Sequence, residues 1–318
     1  MFESPEQVGV AARREFAKPL VGAFVCFVLF RIAFIFLEPA VEFFGGRMMG
    51  LTLGSLLSAA ISGALAMAIF ESRKLTDLGL AFREGSRRNL ASGVLMGVSA
   101  ALLIVLVPVA LGLAHFQRVP NADISWRAAM FMPALLFCGA MGEEIAFRGF
   151  IMQYLARGWG MWIAILFTGT VFGLLHGDNP GASWISDVNT VLFGVLFGVA
   201  VMRTHELWLP IGLHFGWNVT LPFLGTTLSG LTIRVTGYEW KWNTGDLWNG
   251  NLYWSGGPYG PEASILTTAG IAALLLVLWK LPVNKEWAWL LDTPLDTPLD
   301  TPVDAPPAES PPDAPPAS

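Results

Sequence analysis

The chain has 318 residues, 54% of them hydrophobic and only 14% charged, with a mean hydropathy of +0.56. A water-soluble globular domain carries about a quarter charged residues, so that class is excluded. The net charge of −5 collects in the last 27 residues and gives no reason to expect a nucleic-acid partner.

Several runs of about 20 apolar residues, the length of a bilayer crossing, predict an all-α, polytopic transmembrane helical bundle. Residues 1–19 are polar and read as a cytoplasmic N-terminal segment. Leu20 to Leu37, interrupted only by Arg31, is too long for a signal-peptide core and has no small-x-small cleavage site after it, so it reads as an uncleaved first span. Further spans are expected near 51–70, 90–114, 128–156, 161–176, 189–202, 207–224 and 263–281, eight in all. With the N-terminus inside, twelve Lys and Arg fall in the inner segments (Arg13 to Lys18, Arg73 to Arg88, Arg157, Arg203, Lys280, Lys285) and five in the outer ones (Arg47, Arg118, Arg127, Arg234, Lys241). That asymmetry follows the positive-inside rule and puts both termini in the cytoplasm of a multi-pass cell-membrane protein. Cys26 and Cys138 fall within spans and read as small buried residues without a disulfide framework.

The basic inner loop Glu71–Asn89 is a topogenic loop or a short amphipathic helix at 75–80. Gly93 and Gly97 in the third span, Gly54, Ser58 and Ser62 in the second, and Gly194 and Gly198 in the sixth have the small-x-x-x-small spacing of close helix contacts. Residues 20–126 thus form an N-terminal helical region. His115 reads as interfacial, and His205, in a short inner loop, as solvated surface.

The fourth span carries Gly142-Glu143-Glu144-Ile145-Ala146-Phe147-Arg148-Gly149. An ionisable side chain at lipid depth is costly and marks a functional site unless it is paired. Glu144 and Arg148, four apart, share a helix face and can pair. Glu143 points about 100° away and is left as a spare carboxylate. The fifth span ends with Phe172 and His176 on one face, and Gly177 is expected to end that helix. The seventh places His214 and Asn218 four apart. These six residues from three helices can face one cavity. Amide hydrolysis needs such a set, with a base to take a proton from water and donors where the carbonyl oxygen turns negative. Two histidines and a carboxylate are also adequate zinc ligands. Counting about 1.5 Å per residue, Glu143 and His176 lie roughly 20 Å deep and His214 only about 10 Å. The seventh span must therefore start earlier or be broken and re-entrant at Pro210.

Glu143-Glu144-x-x-x-Arg148, Phe172-x-x-x-His176 and His214-x-x-x-Asn218, in this order, resemble the three motifs of the CPBP family. That family groups type II CAAX prenyl proteases with bacteriocin-processing and immunity proteins. The likeness covers about 127–222 and makes this segment a protease core. Gly256 to Ser264 also resembles bacterial members. The resemblance implies an intramembrane endopeptidase acting on a membrane-associated peptide or protein. Glu143 would activate water with help from His176, Glu144 and Arg148 would orient and balance charge, and His214 and Asn218 would stabilise the oxyanion. It leaves two mechanisms open: a divalent metal such as zinc, held by Glu143, His176 and His214, or a metal-free glutamate mechanism. On the residues alone, a proton-coupled transporter using Glu143 and His176 as a relay stays open, as does a non-catalytic membrane scaffold. No internal repeat favours the transporter.

Residues 223–262 form a Trp- and Gly-rich outer loop, with Trp240, Trp242, Trp248 and Trp254 suited to an interfacial belt. In Gly260-Pro261-Glu262 the glutamate reads as the cap of the last span, 263–281. Residues 282–318, with four near-repeats of Leu-Asp-Thr-Pro, read as a disordered, acidic, Pro-rich tail.

Overall fold

The computed structural model describes residues 5–122, 125–243 and 251–293. The fold is a helical bundle. Its helices are α1 (Pro5–Gly45), α2 (Arg47–Glu71), α3 (Glu84–Ala110), α4 (Trp126–Ala146), α5 (Met152–Trp159), α6 (Met161–Leu174), α7 (Trp184–Thr204), α8 (Trp208–Phe223), α9 (Asn251–Ser255), α10 (Ile265–Lys280) and α11 (Trp289–Asp292). Five segments are long and apolar enough to cross a membrane: Ala17–Gly45, Arg47–Glu71, Glu84–Ala110, Ala129–Trp159 and Trp184–Thr204. The helices at Met161–Leu174 and Ile265–Lys280 are apolar but shorter. Phe24, Phe36, Phe43 and Phe44 stand exposed along α1, as a lipid-facing helix requires. The expected short span at 189–202 is a full 21-residue helix, started by a reciprocal Ser183–Ser186 capping box.

Glycine sets the helix spacing. At Gly93 and Gly97 of α3 an added Cβ would run into the α8 backbone at Leu209 to Trp217, and at Gly212 and Gly216 of α8 it would run into α3 at Leu90 to Val98. The two helices therefore touch backbone to backbone, with His214 between the two α8 glycines. Gly169 of α6 meets Gly194 of α7 in the same way, and Gly142 of α4 meets the α2 backbone at Ser55 and Leu56. The small-residue spacings at Gly93/Gly97 and Gly194 thus find real partners, and the site's helices are the ones drawn together. Replacing Gly97 by Leu should push α8 away from α3 and cost about 1–3 kcal/mol. A thermal melt in detergent reads that cost, and an unchanged melting temperature would contradict the close crossing.

Several expectations change. α3 stops at Ala110, short of the expected 114, and Ala114–Arg118 forms strand β1, antiparallel to β2 (Tyr238–Trp242). A bundle expected to be purely helical thus carries one two-stranded sheet at its loop-rich end. Here His115 pairs with Lys241 across the strands, and its Nδ1 lies 2.5 Å from Asn243 Oδ1. Trp240 donates its indole N–H to the Val105 carbonyl and is half-buried, so it packs on α3 as well as standing at the edge. Trp248 lies outside the described residues. Nor does α6 run to Gly177: it ends at Leu174, and residues 175–179 form turns.

The opposite end is closed by the chain's own C-terminal stretch. The tail expected from 282 is ordered as far as 293, and residues 294–318 with the remaining repeats lie outside the described residues. The order has a polar cause. Asn89 and Asn284 exchange hydrogen bonds, Glu286 N donates to Thr204 O at 2.7 Å, and the buried Trp289 indole donates to Glu71 Oε2 at 2.9 Å. Arg157 also pairs with Glu71 at 2.8 Å, and Arg73 lies over the Trp289 ring. His205, expected at the surface, caps α7 in a left-handed conformation and pairs with Asp292 at 2.7 Å. The inner loop contributes a 3-10 turn, Leu75–Leu78, whose Leu78 is fully buried.

Glu206 sits under this strap. It accepts from Ser86 Oγ and Asn89 Nδ2, both at 2.6 Å. Burial pushes its carboxyl above the ordinary 4.5, and the two hydrogen bonds only partly offset that. A carboxyl whose folded pKa is raised stabilises the fold below its unfolded value, and that contribution is lost as pH rises through the folded value. Glu206→Gln should therefore flatten the decline of melting temperature with rising pH above 4.5. Parallel wild-type and variant melting curves would contradict this.

Candidate active site

α4 does not continue smoothly into α5. Residues Phe147–Ile151 form a π-helical turn with a kink at Gly149 (φ −72°, ψ −121°). Such an insertion re-aims side chains and frees backbone groups. Gln153 takes up one of them, donating from Nε2 to the Arg148 carbonyl at 2.9 Å and to Leu78 O at 3.0 Å. The kink follows directly on the two glutamates.

Glu144 and Arg148 are both fully buried and pair at 3.3 Å. Arg148 also donates to Gly194 O at 3.1 Å, and its guanidinium lies 4.5 Å from the Phe172 ring and 5.1 Å from the Phe197 ring. These aromatic faces offset part of the cost of a buried cation. The Gly169–Gly194 contact is what lets α6 and α7 converge around it.

Glu143 points elsewhere, with its side chain one-third exposed. Its Oε2 lies 3.7 Å from His214 Nε2 and 4.0 Å from His176 Nε2. The far nitrogen of each imidazole is fixed. His176 Nδ1 is 2.7 Å from the Phe172 carbonyl, and His214 Nδ1 is 2.9 Å from Glu144 Oε1. Neither acceptor can donate, so each Nδ1 carries the proton and each Nε2 faces Glu143. The His214 ring also stacks on Phe197 at 4.8 Å.

Glu143, His176, His214 and Asn218 line one cavity of about 320 Å³, while Glu144 and Arg148 stand behind its wall. The structure thus links five of the six singled-out residues in a chain of approaches of 2.9 to 4.0 Å, from Arg148 through Glu144, His214 and Glu143 to His176, and sets the sixth, Asn218, in the same cavity wall. The depth mismatch has neither expected solution. α8 begins at Trp208 and runs unbroken past Pro210. Leu209, Ile211 and Leu213 in its first turns are fully buried, and Leu207 N just before it donates to Gly79 O of the inner loop at 3.0 Å, so the helix starts inside protein.

Glu262 departs from expectation. The N-cap of α10 is Ser264, which accepts from Thr267 N. Glu262 instead lines the cavity, accepting from Trp217 Nε1 at 3.0 Å and from Ser229 N. Burial raises its carboxyl, against the opposing pull of those donors. Pro261 at the first helical position pointed to a cap, but a serine two residues on was the stronger capping signal. Arg31 and Thr190 also line the cavity and were not singled out.

Among the described residues no group of three or more His, Cys, Asp and Glu side chains is arranged to hold a metal ion. The set Glu143, His176 and His214 has suitable chemistry and oriented outer partners, but as placed it does not form such a group.

Residues 125–220 match the family model described as type II CAAX prenyl endopeptidase Rce1-like. Over this segment the chain is similar to the type II CAAX prenyl endopeptidases. The matched stretch runs from the start of α4 to near the end of α8 and contains all six motif residues. No curated protein matches the chain. At family level the CAAX proteases are membrane-embedded peptidases, and the apolar helices agree with that setting.

Proposed function

We propose that the chain is an intramembrane endopeptidase that hydrolyses a peptide bond of a membrane-associated peptide or protein. The observation that carries this reading is the convergence of two oriented imidazole nitrogens on one oxygen of the spare carboxylate, at the wall of a largely apolar cavity. Gaps of 3.7 and 4.0 Å are too long for direct hydrogen bonds but suit a reactant water bridging the groups. Glu143 takes the proton of that water, and His176 shares it and passes it to the leaving amine. Asn218 donates to the oxygen that becomes negative, and His214 joins it when Nε2 as well as Nδ1 carries a proton, the charge then facing Glu144. Arg148 holds Glu144 in place.

In this reading the carboxylate and imidazoles carry the chemistry, and no step is assigned to a metal. We place eight spans, adding α6, α8 and α10 to the five long helices, with both termini cytoplasmic in the cell membrane. The test is cleavage of a membrane-anchored peptide by detergent-purified protein, with metal content measured and a chelator added in parallel. Cleavage that survives chelation supports the metal-free route. Loss of cleavage on chelation, restored by zinc, would replace it. Turnover retained by Glu143→Ala would remove the protease reading.

A further inference from the structure

The cavity has a roof from outside the family-matched segment, made by a tight turn at Leu228-Ser229-Gly230-Leu231. Leu228 and Leu231 exchange backbone hydrogen bonds at 3.0 and 2.8 Å. Both central residues have positive φ, +49° at Ser229 and +80° at Gly230, so this is a type I′ turn. Glycine adopts that conformation freely, but serine does so at a cost of order 1 kcal/mol, and such strain persists only where the surroundings over-determine it.

Here they do. Ser229 N–H is bound by the Glu262 carboxylate, and Gly230 N donates to Tyr259 O at 3.0 Å. A Cβ on Gly230 would collide with the Pro180 backbone, so the turn also presses on the loop that follows His176. Glu262 is itself anchored. Its second oxygen takes the Trp217 indole N–H, and its own carbonyl accepts from Asn189 Nδ2 at 2.7 Å. One residue thus ties the turn to α8 through its side chain and to α7 through its carbonyl. The turn presents apolar surface downwards: Leu228, Leu231 and Ile233 line the cavity that holds Glu143.

We propose that this clamped turn is a specificity-determining roof that receives an apolar side chain flanking the cleaved bond, and that Glu262 is the positioning residue that holds it. The inference rests on the protease reading. Residues 228–233 and Glu262 lie beyond residue 220, where the family match ends.

The test uses full-length protein and a set of membrane-anchored fluorogenic peptides differing only in Ala, Leu or Phe at the positions flanking the cleaved bond. Leu231→Ala enlarges the roof and should move the kcat/KM ratio of the Phe over the Leu peptide by roughly tenfold, a pocket-size effect. Glu262→Ala unclamps the turn and should raise KM about tenfold with kcat held within a few-fold, because the catalytic groups sit on other elements. If Glu262→Ala fails to fold, the Leu231→Ala ratio alone decides. A Leu231→Ala variant that changes all peptides equally overturns the roof. So does a folded Glu262→Ala that loses kcat at constant KM. These failures are distinct from failure of the protease reading, which would show as cleavage by Glu143→Ala or as no cleavage of any peptide by wild type.

Discussion

On the protease reading, replacing Glu143 by glutamine should stop peptide hydrolysis, with kcat falling by roughly 10²–10⁴-fold, the range for loss of a positioned base, while the fold is kept. The side chain is one-third exposed and makes no hydrogen bond shorter than its 3.7 and 4.0 Å approaches to the imidazoles. Losing its charge should therefore change stability by no more than about 0.5 kcal/mol. The same substitution one residue on has the opposite signature. Glu144→Gln removes the charge that faces both Arg148 and His214 and leaves a neutral amide oxygen as their shared acceptor, so it loses melting temperature as well as activity. Kinetics and thermal melts on this pair of variants separate the reactive carboxylate from the supporting one. A Glu143→Gln variant that melts far below wild type would show that the carboxylate is structural.

That Glu144 pairs with Arg148 while Glu143 points elsewhere was legible in the chain. Four-residue spacing gives Glu144 to Arg148, and one residue of helical rotation sends Glu143 elsewhere. His214 was likewise placed on a face with Asn218, whereas His176 lies past the end of α6 and keeps to Phe172 through its carbonyl instead of through a shared helix face. Their convergence was not legible, because it depends on which helices touch. The sequence marked Gly93 and Gly97 as contact points but could not say that Gly212 and Gly216 of α8 receive them, and that pairing carries His214 to Glu143. The π-turn at Phe147–Ile151 leaves no trace in hydrophobic periodicity, since every residue there is buried. The acidic, proline-punctuated composition around Asp292 hid a docked strap, because two buried tryptophan and asparagine contacts outweigh the local bias. Glu262 was misread for a similar reason. Its partners, Trp217 and Ser229, are far away in sequence, and local capping rules see only neighbours.

The second large effect is on stability. Arg148→Met leaves Glu144 fully buried with only the His214 N–H, removes the bond to Gly194 O and takes the cation from between the Phe172 and Phe197 rings. Breaking a buried pair from one side costs about 3–5 kcal/mol, because an uncompensated charge remains. The melting temperature should drop sharply, and the variant should accumulate poorly. Removing both charges has a different consequence. In Glu144→Leu/Arg148→Met the uncompensated charge is gone, and apolar groups of similar bulk fill the space among aromatic rings, so most of the lost stability should return. Activity should not return with it. His214 Nδ1–H then has no carboxylate to fix its orientation or balance its charge, and turnover stays depressed by roughly 10²-fold or more. A double variant that recovers both folding and cleavage would reduce the pair to a packing device. One that recovers folding alone assigns Glu144 to the imidazole and Arg148 to Glu144, a chain of support that ends at the cavity wall.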